Sequence, residues 1–242
     1  MAAVPGAPPR TYATRAGRLT TGQARALQEL GPRFLIDTAS ARPLDLPAIF
    51  GNPHAVVLEI GFGSGASLIE MARSRPEINF LGIEVYPPGL GAALAAIARH
   101  DLLNVRLIRG DAVQVLTHCM ARDSLDAVQI FFPDPWPKTR HHKRRLITDE
   151  FIALLRPVLR PGGSLYLATD WEHYAWQMLE VMQRAAGFAN QSSTGTFVPR
   201  PQWRPLTKFE QRGLRLEHGI WDLAFTREPP PASDTQGVHD HE

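Results

Sequence analysis

The 242-residue sequence predicts an α/β domain in which a mostly parallel, doubly wound sheet carries helices on both faces. Three observations lead there. From residue 55 onward, short β-rich runs alternate with runs of helical period. Several of the β-rich runs are almost continuously apolar, as strands buried on both faces must be. Finally, 44% of the chain is hydrophobic, enough at this length for one large core.

In chain order, residues 1–18 are rich in Pro, Gly, Ala and Arg without apolar periodicity, and are expected to form a mobile basic arm. "LTTGQARALQEL" spaces Leu19, Gln23, Leu27 and Leu30 as a helix, with Thr20 or Thr21 as N-cap and Gly31-Pro32 as the stop. The strand "AVVLEIG" comes next, then a helix over "ASLIEMARSR" ended by Pro76, the strand "INFLGIEV" and a helix over "GLGAALAAIARH". The strand "NVRLIRG" leads to a short helix over "AVQVLTHCM", the strand "LDAVQIFF", a helix over "DEFIALLRPVL" and the strand "GSLYLATD". A last helix, "WEHYAWQMLEVMQRAAG", gives way to a long Pro-containing connection and a strand, "IWDLAF". The expected division is an arm over 1–18, one domain over 19–227 and a disordered tail over 228–242.

Net charge is only +2, so affinity for a polyanion depends on where the 26 Lys and Arg stand. They cluster. Residues 1–42 carry Arg10, Arg15, Arg18, Arg25, Arg33 and Arg42 against Glu29 and Asp37, and residues 138–145 carry five cations and no acid. Cys119 is the single cysteine, which excludes an internal disulfide and a cysteine-rich zinc site and reads as a buried thiol. The start "MAAVPGAPPR" lacks the apolar core of a signal, and no run approaches the ~18 apolar residues of a membrane span. A cytoplasmic protein is expected.

Ligands of open α/β sheets bind beyond the carboxyl ends of the strands, which selects Glu59, Glu84, Asp111 and Asp134 from the acids. Gly61, Gly63 and Gly65 of "GFGSG" form a strand-to-helix turn that a nucleotide-bearing cofactor can approach closely. The spacing is not that of a dinucleotide fingerprint, and Glu59 just before it suits a cationic amino-acid group better than a pyrophosphate. S-adenosylmethionine has such a group and no phosphate. Glu84 is placed for ribose hydroxyls and Asp111 for the adenine amino group, with an NAD enzyme as the second reading. "KTRHHKRR" supplies Lys138, Arg140, Lys143, Arg144 and Arg145 as phosphate contacts; His141 and His142 lack a third ligand at metal-site spacing, so no metal is expected.

"LEIGFGSG", "FLGIEV", "FFPDPWPKTRHHKRR", "LATD" and "TKFEQRG" occur in the order and approximate separation seen in bacterial tRNA (guanine-N7-)-methyltransferases, which the chain resembles over residues 10 to 227. The resemblance implies a Rossmann-like class I methyltransferase fold, S-adenosylmethionine as donor, and methylation of a guanosine at position 46 of the tRNA variable loop. It further implies that Glu59, Glu84, Asp111 and Asp134 contact the cofactor beside Gly61, Gly63 and Gly65, and that Asp134 is the active-site acid. Lys138, Asp170, Thr207, Lys208, Phe209 and Glu210 would bind the substrate base, and Arg140, His141, His142, Lys143, Arg144 and Arg145 would meet RNA. The short, alanine-rich amino terminus departs from the family's longer charged one, which leaves the part played by Arg10 and Arg15 open. Monomer and homodimer both remain compatible with the sequence. Two rivals stand beside this reading: an amino-group methyltransferase, because a D-P-aromatic turn also serves exocyclic amines, and an RNA-binding module that has lost its cofactor. Trp136 is the tryptophan placed for base stacking.

Overall fold

The computed structural model describes residues 11–12, 17–206, 210 and 219–229. The helix α1 (Thr21–Phe34) starts from a capping box: the Thr20 hydroxyl accepts from the Gln23 amide at 3.2 Å, and the Gln23 side chain accepts from the Thr20 amide at 3.0 Å. It does not stop at Gly31-Pro32 as expected. Proline so near the end removes one hydrogen bond only, and two more residues bring Phe34 into the core. The short α2 (Leu46–Phe50), capped by Asp45, was not foreseen; five residues carry too little period to read.

The remaining elements are β1 (Val56–Ile60), α3 (Ala66–Ser74), β2 (Asn79–Glu84), α4 (Pro87–Arg99), β3 (Val105–Arg109), α5 (Ala112–His118), β4 (Leu125–Phe131), α6 (Asp149–Leu155), β5 (Leu159–Thr169), α7 (Glu172–Arg184), β6 (Phe188–Asn190) and β7 (Trp221–Arg227). A short 3-10 helix, Thr139–Arg144, lies between β4 and α6. The helix α6 ends four residues before the expected Leu159 because Pro157 has no amide to continue it, and Leu159 instead pairs with Leu125 as the start of β5.

All seven strands form one sheet in the order β3-β2-β1-β4-β5-β7-β6. The first five are parallel, while β7 runs antiparallel to β5 and β6, so the expected mostly parallel sheet is present with one added hairpin edge. Alternate strand residues enter two cores. Leu58, Ile60 and Val128 pack on one face with Leu116, Phe151, Leu155 and Met178 from α5, α6 and α7. Val57, Phe80 and Leu107 pack on the other with Phe34, Leu68, Met71 and Leu94 from α1, α3 and α4. Cys119 is buried in the first. Burial on both faces is why these strands lack a polar alternation. The order reverses between β1 and β4, and in open α/β sheets the crevice at the carboxyl ends of the strands beside such a reversal is where ligands bind.

Candidate active site

The glycine turn follows β1 at this reversal. Gly61, Gly63 and Gly65 all have positive φ, at 73°, 59° and 81°, a region that disfavours any side chain. Around Gly61 and Gly63 a Cβ would meet nothing within 4 Å, so the space beside the turn is open. Gly65 faces inward, where a Cβ would stand 2.8 Å from the Ala93 methyl. Gly89, in the first turn of α4, is needed for another reason: a Cβ there would lie 2.1 Å from the Gly63 carbonyl oxygen.

Glu84 ties this turn to the end of β2. One carboxylate oxygen accepts from the Gly63 amide at 2.8 Å, and the other from the amides of Val85 and Tyr86 at 2.7 and 3.0 Å. The residue therefore shapes the glycine turn as well as facing the crevice. Glu59 is 3% exposed, and its Oε2 has no hydrogen-bond partner among the described residues. Burial, and secondarily the charge of Glu84, pushes its carboxyl up to about 8. Asp111 N-caps α5, its Oδ1 accepting from Val113 at 2.8 Å, and it borders a cleft of about 190 Å³ beside Thr38 and His118.

Asp134 is half-buried in the turn that leaves β4. Phe132 and Trp136, on either side of the Pro133-Asp134-Pro135 unit, have φ of 52° and 44°, which bulky residues seldom adopt. The turn is held from outside: the Phe132 amide donates to the Ala168 carbonyl of β5 at 2.8 Å, and the Arg145 Nε donates to the Pro135 carbonyl at 2.8 Å. Trp136 donates to the Thr11 carbonyl at 3.3 Å, lies 4.9 Å from the Arg144 guanidinium, and meets the edge of His141. The amino-terminal segment also crosses near β2, since a Cβ on Gly17 would fall 1.6 Å from the Tyr86 hydroxyl.

In the basic segment Lys138, Arg140 and Lys143 are exposed, while His141, His142 and Arg144 are half-buried. Partial desolvation, and then the neighbouring cations, moves both histidines below their ordinary value and keeps them neutral at pH 7. Arg145 differs. It is 0% exposed, so it does not offer a phosphate contact as the sequence suggested; its long side chain turns inward to the Pro135 carbonyl and α7. Asp170 stands half-buried just beyond β5, on the same side of the sheet.

Thr207, Lys208 and Phe209 lie outside the described residues, as do Arg10, Arg15 and the tail beyond residue 229. Glu210 is described and is buried. Arg204 forms a fork onto it at 2.8 and 2.9 Å, Arg200 approaches at 3.0 Å, and the same Arg204 reaches Asp222 at 2.9 and 3.0 Å. The Arg204 guanidinium also lies 5.5 and 5.6 Å from the rings of Phe131 and Phe132 at the end of β4. Burial raises the pKa of Asp222, and Arg204 opposes that shift. This ion network was missed in the sequence because "VPRPQWRP" reads as an irregular surface stretch. Trp203 packs between Phe131 and Tyr166 as a loop anchor.

Comparison with known proteins fits this geometry. Residues 53–223 match a family model described as "Putative methyltransferase". The tRNA (guanine-N(7)-)-methyltransferase of Aeromonas hydrophila subsp. hydrophila is 56% identical over 218 residues, 90% of this chain and 92% of the relative. The chain belongs to the tRNA (guanine-N(7)-)-methyltransferase family. That of Burkholderia mallei is 55% identical over 90% of this chain and 81% of its own length. Among solved structures, the fold of this tRNA (guanine-N(7)-)-methyltransferase family member is similar to the 16S rRNA methyltransferase KamB, with a TM-score of 0.56 at 17% identity over 78% of this chain and 95% of that one. It is also similar to a 16S rRNA (adenine(1408)-N(1))-methyltransferase from Catenulisporales acidiphilia, with a TM-score of 0.54 at 16% identity over 82% and 94%.

The crevice fits the family's cofactor. The unpartnered, buried Oε2 of Glu59 needs a cation to become ionised, and the open space at Gly61 and Gly63 admits a ligand against bare backbone.

Proposed function

We propose that this chain transfers the methyl group of S-adenosylmethionine to N7 of a guanosine in tRNA, position 46 of the variable loop, with Asp134 as the active-site carboxylate. The observation that carries the reading is that β1 and β4 are parallel neighbours, so that the glycine turn and the rigid Asp134 turn leave the same end of the sheet side by side in a member of this family. Residues 19–227 form the catalytic domain of a cytoplasmic enzyme.

Glu59 receives the cofactor's ammonium, which ionises its carboxyl and provides the partner its buried oxygen lacks. Glu84 has lone pairs left for the ribose while its backbone bonds hold the glycine turn, and Asp111 keeps Oδ2 for the adenine amino group. When bound, the cofactor supplies an electrophilic methyl on a sulfonium. Guanine N7 is a lone pair without a proton, so the chain needs no obligatory base. Asp134 acts by place and charge: it holds the purine in line and stabilises the positive charge that grows on it. Lys138, Asp170 and the segment from Thr207 to Phe209 hold the base, Glu210 being turned inward to Arg204, and Arg140, Lys143 and Arg144 on the 3-10 helix hold phosphates. The half-buried, neutral His141 and His142 add hydrogen bonds to RNA rather than charge.

Incubation with labelled methyl donor and unmodified tRNA, followed by nucleoside mapping, tests the assignment. The expected product is 7-methylguanosine in the variable loop; label on an exocyclic amine, or at another position, refutes it.

A further inference from the structure

Within "KTRHHKRR" five cations stand close together, yet one of them is entirely removed from water. A guanidinium costs several kcal/mol to bury unless its donors are taken up. Arg145 has two of its three donor nitrogens, Nε and Nη1, received by groups on two elements, while Nη2 has no hydrogen-bond partner among the described residues. On one side Nε donates to the Pro135 carbonyl at 2.8 Å, one residue from Asp134. On the other, Nη1 donates to His173 Nδ1 at 3.1 Å and to the Gln177 side-chain carbonyl, while the plane of the group lies 4.7 Å from the Tyr174 ring centre. His173, Tyr174 and Gln177 occupy the first two turns of α7. Because arginine only donates, His173 Nδ1 is the acceptor in this hydrogen bond. Tyr174 adds a second tie, its hydroxyl accepting from the Ile147 amide at 3.1 Å.

We propose that Arg145 is a positioning residue: it fastens the Asp134 turn to α7 and so sets where the Asp134 carboxylate stands. The proposal rests on the reading of Asp134 as the active-site carboxylate. The turn has need of a fastening, since φ is positive at both Phe132 and Trp136 and such backbone persists only where its surroundings over-determine it. Phe132 is tied to β5 at the start of the turn, and Arg145 supplies the tie at its end. A lysine keeps the charge but has no planar fork with which to reach Pro135, His173 and Gln177 together. Electrostatic stabilisation depends on placement at the scale of about 0.5 Å, so loosening this end of the turn lowers turnover more than it lowers binding.

The test compares Arg145→Lys, Arg145→Gln and Asp134→Asn in the full chain, with turnover normalised to the number of sites that bind S-adenosylmethionine, so that loss of folded protein is removed from the rate. Arg145→Lys is expected to lower turnover at saturating tRNA and donor by about tenfold or more, the scale of a misplaced catalytic group, while both KM values change by less than about twofold. Arg145→Gln is expected to leave the slope of log tRNA affinity against log salt unchanged, whereas loss of a phosphate contact flattens it by about 0.7 to 0.9. Saturated turnover of Arg145→Lys within about threefold of wild type, or a flattened slope for Arg145→Gln, overturns the proposal. Unchanged turnover in Asp134→Asn overturns the reading of Asp134 itself; lost turnover there beside intact Arg145→Lys overturns the fastening alone. If the Arg145 variants do not fold, Gln177→Ala removes one acceptor on α7 and is expected to lower normalised turnover by about threefold or more at unchanged tRNA KM; no change in turnover overturns the proposal.

Discussion

Two carboxylates a few residues from their strand ends do opposite work because their surroundings differ. Glu59 is buried and its Oε2 has no hydrogen-bond partner among the described residues; burial, and then the charge of Glu84, pushes its carboxyl up to about 8 in the free protein. Its folded pKa is above the ordinary 4.5, so the folded chain binds the extra proton and stability falls as pH rises between these values, by up to about 1.4 kcal/mol per pH unit. Glu59→Gln is isosteric with the neutral form. Thermal melts of the free chain from pH 5 to 8 should show a weaker decline for this variant, while calorimetry should show it binding S-adenosylmethionine more weakly. In the wild type, cofactor binding ionises Glu59 and releases a proton, so affinity should fall towards acid from pH 8 by up to tenfold per pH unit, about 1.4 kcal/mol. A pH-independent affinity from 6 to 8 would remove Glu59 from the ammonium site. Asp134, by contrast, is half-buried and set between two prolines. Asp134→Asn should fold and bind tRNA, yet lose about 10² or more in methyl transfer with both ligands saturating, the usual scale for one preorganised electrostatic group. A saturated rate within about threefold, roughly 0.7 kcal/mol in barrier, would reduce Asp134 to a feature of the turn.

Among the elements, the sheet was readable and the joints were not. The strands β1 to β4 are short β-rich runs with Gly61, Glu84, Gly110 and Pro133 at or just beyond their ends, so their positions are explicit in the sequence. The three-residue β6 is too short to carry a pattern, and α2 has only five residues. The glycine turn was legible as a cofactor site, but the backbone bonds of Glu84 were not, because nothing in "GIEV" says that a carboxylate 21 residues along will reach the Gly63 amide. The 3-10 helix shows the same limit. Composition places five cations in it and on either side of it, but only the fold sorts Arg145 inward and leaves Lys138, Arg140 and Lys143 outward, with Arg144 partly covered by Trp136. The sorting changes the expected effect of mutation: Arg140, Lys143 and Arg144 replaced together by alanine should weaken tRNA binding and flatten its salt slope by about 2 to 2.7, three contacts at roughly 0.7 to 0.9 each. Filter binding across a salt series reads this directly; an unaltered slope would make the helix a solvated surface.

At the scale of the whole molecule, the late part of the chain is joined to the sheet by charge as well as by the apolar packing of Trp203, Leu223 and Phe225. Arg204 is fully buried and connects Glu210, Asp222 on β7 and the aromatic end of β4. One guanidinium thus brings the segment after residue 200 to the strand that leads into the Asp134 turn. Arg204→Met keeps much of the volume and removes the charge, leaving Glu210 and Asp222 buried near each other without their shared partner. Breaking such a pair from one side costs about 3–5 kcal/mol. At about 2–4 °C per kcal/mol for a chain of this size, Tm at pH 8 should fall by roughly 6–20 °C. The pH dependence identifies the cause. Burial already raises the pKa of Asp222, and Arg204 is the chief group that opposes the rise, with Arg200 adding less. Without Arg204 the folded-state pKa climbs further above the unfolded one, so the folded variant takes up protons as pH falls and recovers stability towards acid. The Tm deficit of Arg204→Met should therefore shrink between pH 8 and pH 5, and adding Glu210→Gln and Asp222→Asn should reduce it at pH 8. A deficit that is the same at both pH values would mean that lost packing over Phe131 and Phe132, not stranded charge, accounts for the damage.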